Sequence, residues 1–95
     1  MHFEWDEAKN ELNIRKHGFD FADADRVFHG PFPFLIRIDC REDYGEDRWM
    51  GIGMLDGRVV VLIVFTEPAT NIIRIISMRK ATNHERAAYE KAIKN

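Results

Sequence analysis

The chain has 95 residues, 45% of them hydrophobic and 32% charged, with a net charge of −2. That length predicts one domain over residues 1–95, and the composition excludes a disordered chain and argues against one held on nucleic acid by bulk charge. The longest apolar run, residues 59–65, is too short to span a bilayer, and a single cysteine, Cys40, excludes both an internal disulfide and a thiolate zinc site. With no basic or apolar leader in residues 1–6, the expectation is a cytoplasmic protein that works away from membranes.

Phe3-Glu4-Trp5 reads as a short strand or an extended lead-in. Asp6 is placed to cap a helix from Glu7 to about Lys16, with acidic residues early, basic residues late and Gly18 as the stop. Ala8, Leu12 and Arg15 mark its expected inward stripe. Asp20 then caps a second helix in which Phe21, Ala24, Val27 and Phe28 share a face, ended by Gly30-Pro31. Over residues 32–39 the positions Phe32, Phe34, Ile36 and Ile38 alternate, which predicts a strand with one covered face. Pro31 and Pro33 place it at a sheet edge.

Residues 40–47 form a charged loop around Tyr44-Gly45. Residues 48–54 and 58–66 predict a hairpin around Asp56-Gly57, and the apolar run within the second arm predicts a central strand. Residues 67–70 read as a turn through Pro68. Next comes Asn71-Ile72-Ile73-Arg74-Ile75-Ile76-Ser77-Met78-Arg79-Lys80, a strand with β-branched residues on both faces and two arginines. A regular strand points Arg74 and Arg79 to opposite faces, whereas a bulge near Ser77 brings them to one side. Each arginine is expected either to pair with an acidic residue or to grip an anion such as phosphate. Thr82 to Glu85 has the form of a capping box, and Ala88, Tyr89, Ala92 and Ile93 give the last helix its expected buried stripe. The predicted class is α+β: two N-terminal helices, a mainly antiparallel sheet of about four strands and a C-terminal helix.

Charge is unevenly spread. Residues 71–95 hold six basic and two acidic side chains, leaving eight basic and fourteen acidic in residues 1–70. That basic quarter is read either as a surface for a polyanion or an acidic partner, or as the solvated face of a helix.

Three segments, in order, carry a resemblance. They are Phe3-Glu4-Trp5-Asp6 with Lys9, Asn13 and Lys16-His17-Gly18; Arg48 with Ile52-Gly53; and Phe65-Thr66-Glu67 with Ile73-Arg74-Ile75-Ile76-Ser77 and Arg79-Lys80-Ala81, followed by Glu85-Arg86 and Tyr89. With these the chain resembles the BrnT family, ribonuclease toxins of type II toxin–antitoxin pairs, similar in fold to the RelE superfamily. The resemblance implies a metal-independent endoribonuclease that needs no cofactor and slows translation. It also implies a cognate DNA-binding antitoxin, with promoter DNA bound only through the complex. The chain departs from the family pattern at Pro68, where a basic residue is usual, and at Met78, where alanine is usual.

Metal-free cleavage of RNA uses the ribose 2′-OH as nucleophile. It therefore needs a base, positive groups around the phosphorane and an acid for the leaving 5′-oxygen. His17, with Lys16 beside it, is the candidate acid or base. Arg74 and Arg79, with Arg48, are the candidate phosphate clamp; Lys80 and Tyr89 are further candidates for substrate binding. Structural roles compete: His17 suits a helix C-terminus, Glu85 suits a cap, Tyr89 suits the core and Arg48 suits a cross-strand pair. Two other readings stay open at this point. One is a binding module that keeps the toxin scaffold and represses DNA with a partner; the other is a metal nuclease using Asp39, Glu42 and Asp43.

Overall fold

The apolar run does build the middle of a sheet. In the computed structural model, which describes residues 1–94, Val59–Ala69 is the third of five strands. The elements are β1 (His2–Glu4), α1 (Glu7–His17), a 3-10 turn (Phe21–Asp23), α2 (Ala24–Phe28), β2 (Leu35–Ile38), β3 (Trp49–Leu55), β4 (Val59–Ala69), β5 (Ile72–Lys80) and α3 (Asn83–Lys94). Spatial order in the sheet is β1-β5-β4-β3-β2. β2, β3, β4 and β5 are antiparallel neighbours, whereas β1 runs parallel to β5 over Glu4 and Arg74.

The class is therefore α+β as expected, but the sheet is mixed and has five strands rather than about four. The extra strand is the lead-in His2–Glu4. Three residues carry too weak a pattern to declare themselves, and the exposed edge of β5 is what makes them a strand.

Local signals hold well. Asp6 accepts a hydrogen bond from Lys9 N–H, and Gly18 ends α1 at φ 78°. Asp56 and Gly57 take φ 54° and 68°, the left-handed pair that suits a tight hairpin between β3 and β4. Residues 67–70 are not a turn throughout: β4 continues to Ala69, and the reversal narrows to Thr70-Asn71, with Asn71 at φ 64°. Pro68 falls inside a break in the ladder between Thr66 and Ala69, where its missing N–H costs no pairing.

One sheet face meets the N-terminal helices. Val61, Ile63, Phe65, Ile73, Ile75 and Met78 pack there against Phe21, Ala24 and Val27. Phe21 begins the 3-10 turn, so the predicted second helix is a turn followed by a five-residue helix. Gly51 and Gly53 lie on this face, and the Phe34 ring occupies the space a side chain would take; a Cβ on Gly51 would stand 2.0 Å from Phe34 Cζ. The other face packs Val60, Ile52 and Met54 beneath Tyr89 of α3.

Two stripes read from the sequence are not buried, and a third is buried at one position: on α3, Ala88, Ala92 and Ile93 are exposed and Tyr89 is buried, because the short helix touches the sheet along that residue. On α1, Ala8, Leu12 and Arg15 are exposed, and the buried residues are Asn10 and Asn13. The helix lies along the free edge of β5 rather than flat on a core, so it needs hydrogen-bonding groups facing inward. Asn13 supplies them, accepting from Met78 N–H and donating to Met78 C=O. Asn10 accepts from Phe21 N–H and donates to Asp20. On β2, the covered face fails as well: Phe32, Ile36 and Ile38 are exposed and only Phe34 is tucked in. The five-residue α2 covers β3 and reaches no further.

Candidate functional site

The arginine-bearing strand contains the bulge. Val64 pairs with Ser77 but Phe65 pairs with Ile75, so Ile76 is an extra residue. Arg74 then stands opposite Thr66 and Arg79 opposite Leu62, two positions of the same β4 face. By alternation from Trp49, which pairs with Phe65, Arg48 reaches that face beside Thr66. Three arginines thus share the α3 side of the sheet. Arg74 and Arg79 are four β4 residues apart, roughly 13 Å.

Each guanidinium already has company. Arg79 makes a two-pronged pair with Glu85, Nη1 to Oε1 at 2.8 Å and Nη2 to Oε2 at 3.0 Å, and Nη1 also donates to Lys80 O. Glu85 is at the same time the capping-box acid, accepting from Thr82 N–H at 2.9 Å. The Arg79 guanidinium, helped by Thr82, holds the Glu85 carboxyl down to about 2 against the opposing effect of burial. Arg74 donates from Nε and Nη2 to Glu4 at 2.7 and 2.6 Å, a contact that the parallel pairing of β1 makes possible. Its side chain stays half exposed. Arg48 lies over the Tyr44 ring, 4.1 Å from its centroid, with Glu46 at 3.7 Å. Arg48 Nε and Thr66 Oγ1 are buried, and neither has a hydrogen-bond partner among the described residues.

The remaining candidates lie elsewhere. Lys16 and His17 form the last turn of α1, one turn beyond Asn13, and neither side chain makes a hydrogen bond or ion pair among the described residues. The structure does not join them to Arg74 or Arg79. Lys80 pairs with Val61, so it points to the face opposite Arg79. Tyr89 is 1% exposed and its hydroxyl donates to Pro33 O at 2.6 Å, so its ring offers no open face to a base. His84 and Glu85 stand at the start of α3, on the rim of a hollow between that helix and β2.

The charged loop has a firm anchor. Asp39 is buried and accepts from Arg41 Nε and Nη2 and from the Tyr44 hydroxyl. The Arg41 bonds hold its carboxyl down to about 2 despite burial. Asp43 accepts from Gly45 N–H, and Glu42 is exposed. Among the described residues no three His, Cys, Asp or Glu side chains are grouped as metal ligands.

Reading the residues in sequence missed Glu4 as the partner of Arg74 and Tyr44 as the ring beneath Arg48. It also missed the structural roles of Asn10 and Asn13. Two asparagines three apart inside a helix were a usable signal, because asparagine is a poor helix-interior residue unless something engages its amide.

A family model described as "Ribonuclease toxin, BrnT, of type II toxin-antitoxin system" matches residues 5–85. Among solved structures, the 1.1 Å crystal structure of the Brucella abortus ribonuclease toxin BrnT is similar at 30% identity and a TM-score of 0.66, over 87% of this chain and 99% of that one. No curated protein matches the chain.

Proposed function

The chain belongs to the BrnT family of ribonuclease toxins of type II toxin–antitoxin systems, and from that premise we propose that it is a metal-independent endoribonuclease that inhibits translation. A cognate DNA-binding antitoxin neutralises it, and promoter DNA is bound only through that complex. Residues 1–95 act as one toxin domain. The observation that carries the reading is the bulge at Ile76, which brings Arg74 and Arg79 onto the sheet face that Arg48 also reaches.

In this reading the 2′-OH attacks the adjacent phosphate, and the arginine face stabilises the charge that grows on the phosphorane. Arg74 is best placed to touch the phosphate: Glu4 occupies Nε and Nη2, leaving Nη1 and half of the side chain to solvent. Glu4 and Glu85 orient the guanidinium groups before substrate arrives. His17 with Lys16 is the acid–base pair, reached when RNA runs across the β5 edge to the end of α1. Lys80, at the end of β5 and on the face opposite Arg79, supplies a further phosphate contact where the RNA crosses that edge. Tyr89 holds α3 on the sheet and so supports Arg79 through Glu85.

One observation favours a second reading, the binding module without cleavage: Arg74 and Arg79 are both already paired with carboxylates. Incubating purified protein with labelled single-stranded RNA in EDTA, beside Arg74→Ala, separates the two. Cleavage by the parent alone, leaving 2′,3′-cyclic or 3′-phosphate ends, is expected. Intact RNA with ribosomes both absent and present would instead select the binding module.

A further inference from the structure

β2 is the outer edge of the sheet opposite β1, and all four of its residues are exposed. Asp39 donates its N–H to Arg48 O. Alternation in an antiparallel ladder then turns the N–H and C=O of Leu35 and Arg37 toward β3, and those of Ile36 and Ile38 outward. Leu35, Ile36 and Ile38 are 37%, 52% and 46% exposed. A hollow with a largely apolar floor adjoins the strand on each face. One, of about 280 Å³, is walled by Leu35, Ile52, Leu62 and Ala88, with Arg37 and Glu85 as charged members of its lining. The other, of about 310 Å³, is walled by Phe28, Ile36, Trp49, Phe65 and Ile73.

Proteins guard such an edge with charges, prolines, bulges or a covering segment. Here the prolines, Pro31 and Pro33, come before the strand, and Arg37 is the one charge within it. The Arg37 side chain makes no ion pair or hydrogen bond among the described residues. The strand is open on its backbone, apolar on both faces and positive at one point.

We propose that an extended segment of a different protein chain adds to β2 as a sixth strand. Its alternate apolar side chains enter the two hollows, and an acidic residue sits beside Arg37. The identity of that chain as the antitoxin rests on the toxin reading above. A second copy of this chain fits worse. Antiparallel self-pairing of β2 that keeps each face together must be centred on a residue. Centres at Leu35, Ile36 and Arg37 set Arg37 against Pro33, Leu35 and another Arg37. A centre at Ile38 offers Asp39, which Arg41 already holds.

The test combines amide hydrogen exchange with two variants, using as probe the cognate antitoxin that the toxin reading calls for. Ile36→Pro removes an outward N–H and leaves the bonds to β3 in place. Arg37→Glu changes an exposed side chain, so it keeps the test independent of any folding defect from proline. On mixing with the probe, exchange at Ile36 and Ile38 should slow by about tenfold or more. Affinity should fall about 100-fold in Ile36→Pro and about tenfold in Arg37→Glu, with RNA cleavage by the lone protein unchanged. Equal binding by the parent and both variants would overturn the proposal and leave the toxin reading standing. Failure of the parent to bind the probe would overturn both. A dimer of the lone parent that Ile36→Pro dissolves would overturn it in favour of self-pairing.

Discussion

Asn13 meets Met78 as a neighbouring strand would. Its Oδ1 accepts from Met78 N–H at 3.1 Å and its Nδ2 donates to Met78 C=O at 2.8 Å, across 65 residues of chain. The same Nδ2 also donates to Phe19 O. One side chain closes the edge of β5 beyond the end of β1 and fixes α1, with Lys16 and His17 at its tip.

Asn13→Ala should therefore be severe. It leaves the N–H and C=O of Met78 buried without partners, and at about 1–3 kcal/mol each the expected loss is about 2–6 kcal/mol. Urea denaturation of the two proteins measures it directly. A loss below about 0.5 kcal/mol would mean that the edge is not closed in this way.

Acid should weaken the protein through Glu85. Its carboxyl is held down to about 2, mainly by Arg79, against an ordinary value of 4.5. A group depressed in the folded state adds stability above its unfolded pKa, and that stability is lost as pH falls from about 4.5 toward 2. Asp39, also held at about 2, contributes in the same direction. Glu85→Gln should flatten the stability–pH curve between pH 5 and 2 while leaving the slope from Asp39. An unchanged curve would show that the Arg79–Glu85 pair is not formed in solution.

Arg74→Ala is the cleaner test of phosphate binding. The Arg74–Glu4 pair is about half exposed on its arginine side, so its loss should cost no more than about 1 kcal/mol. RNA cleavage should fall about 100-fold or more if this guanidinium touches the phosphorane. Arg79→Ala is harder to interpret, because it also strips a partner from the acid that caps α3.

Tyr89→Phe separates structure from chemistry. It removes the hydroxyl bond to Pro33 O and should cost about 1 kcal/mol of stability. Cleavage of RNA should persist at the parental level once both proteins are assayed well below their melting temperatures. A collapse in rate with stability kept would return Tyr89 to the list of groups that act on substrate.

Gly51→Ala should overfill the sheet face beneath Phe34. The added Cβ falls 2.0 Å from Phe34 Cζ, so the ring has to leave its place between Phe28 and Phe65. A loss of about 1–3 kcal/mol is expected in thermal or urea unfolding. Pairing the change with Phe34→Leu should recover part of it, because the smaller side chain frees the space.

Features written within a few residues of one another were legible in the sequence. Asp6 and Gly18 bound α1, Thr82 and Glu85 box the start of α3, and Asp56-Gly57 turns the hairpin, because each acts on backbone groups one turn away. The unbroken apolar run marked β4 as central, because only a strand covered on both faces can afford it. The resemblance of short segments gave the family.

What depends on two distant parts of the chain was decided by the tertiary structure alone. The inward residues of α1 are asparagines because the helix closes a sheet edge, and nothing in its own periodicity says that an edge is there. The face on which Arg74 and Arg79 meet depends on one extra residue, Ile76, opposite Val64 and Phe65. A strand sequence fixes side-chain alternation only relative to itself. Which residue is skipped is set by the register that packs Ile75 and Met78 into the same core, with Asn13 holding the strand beyond the bulge.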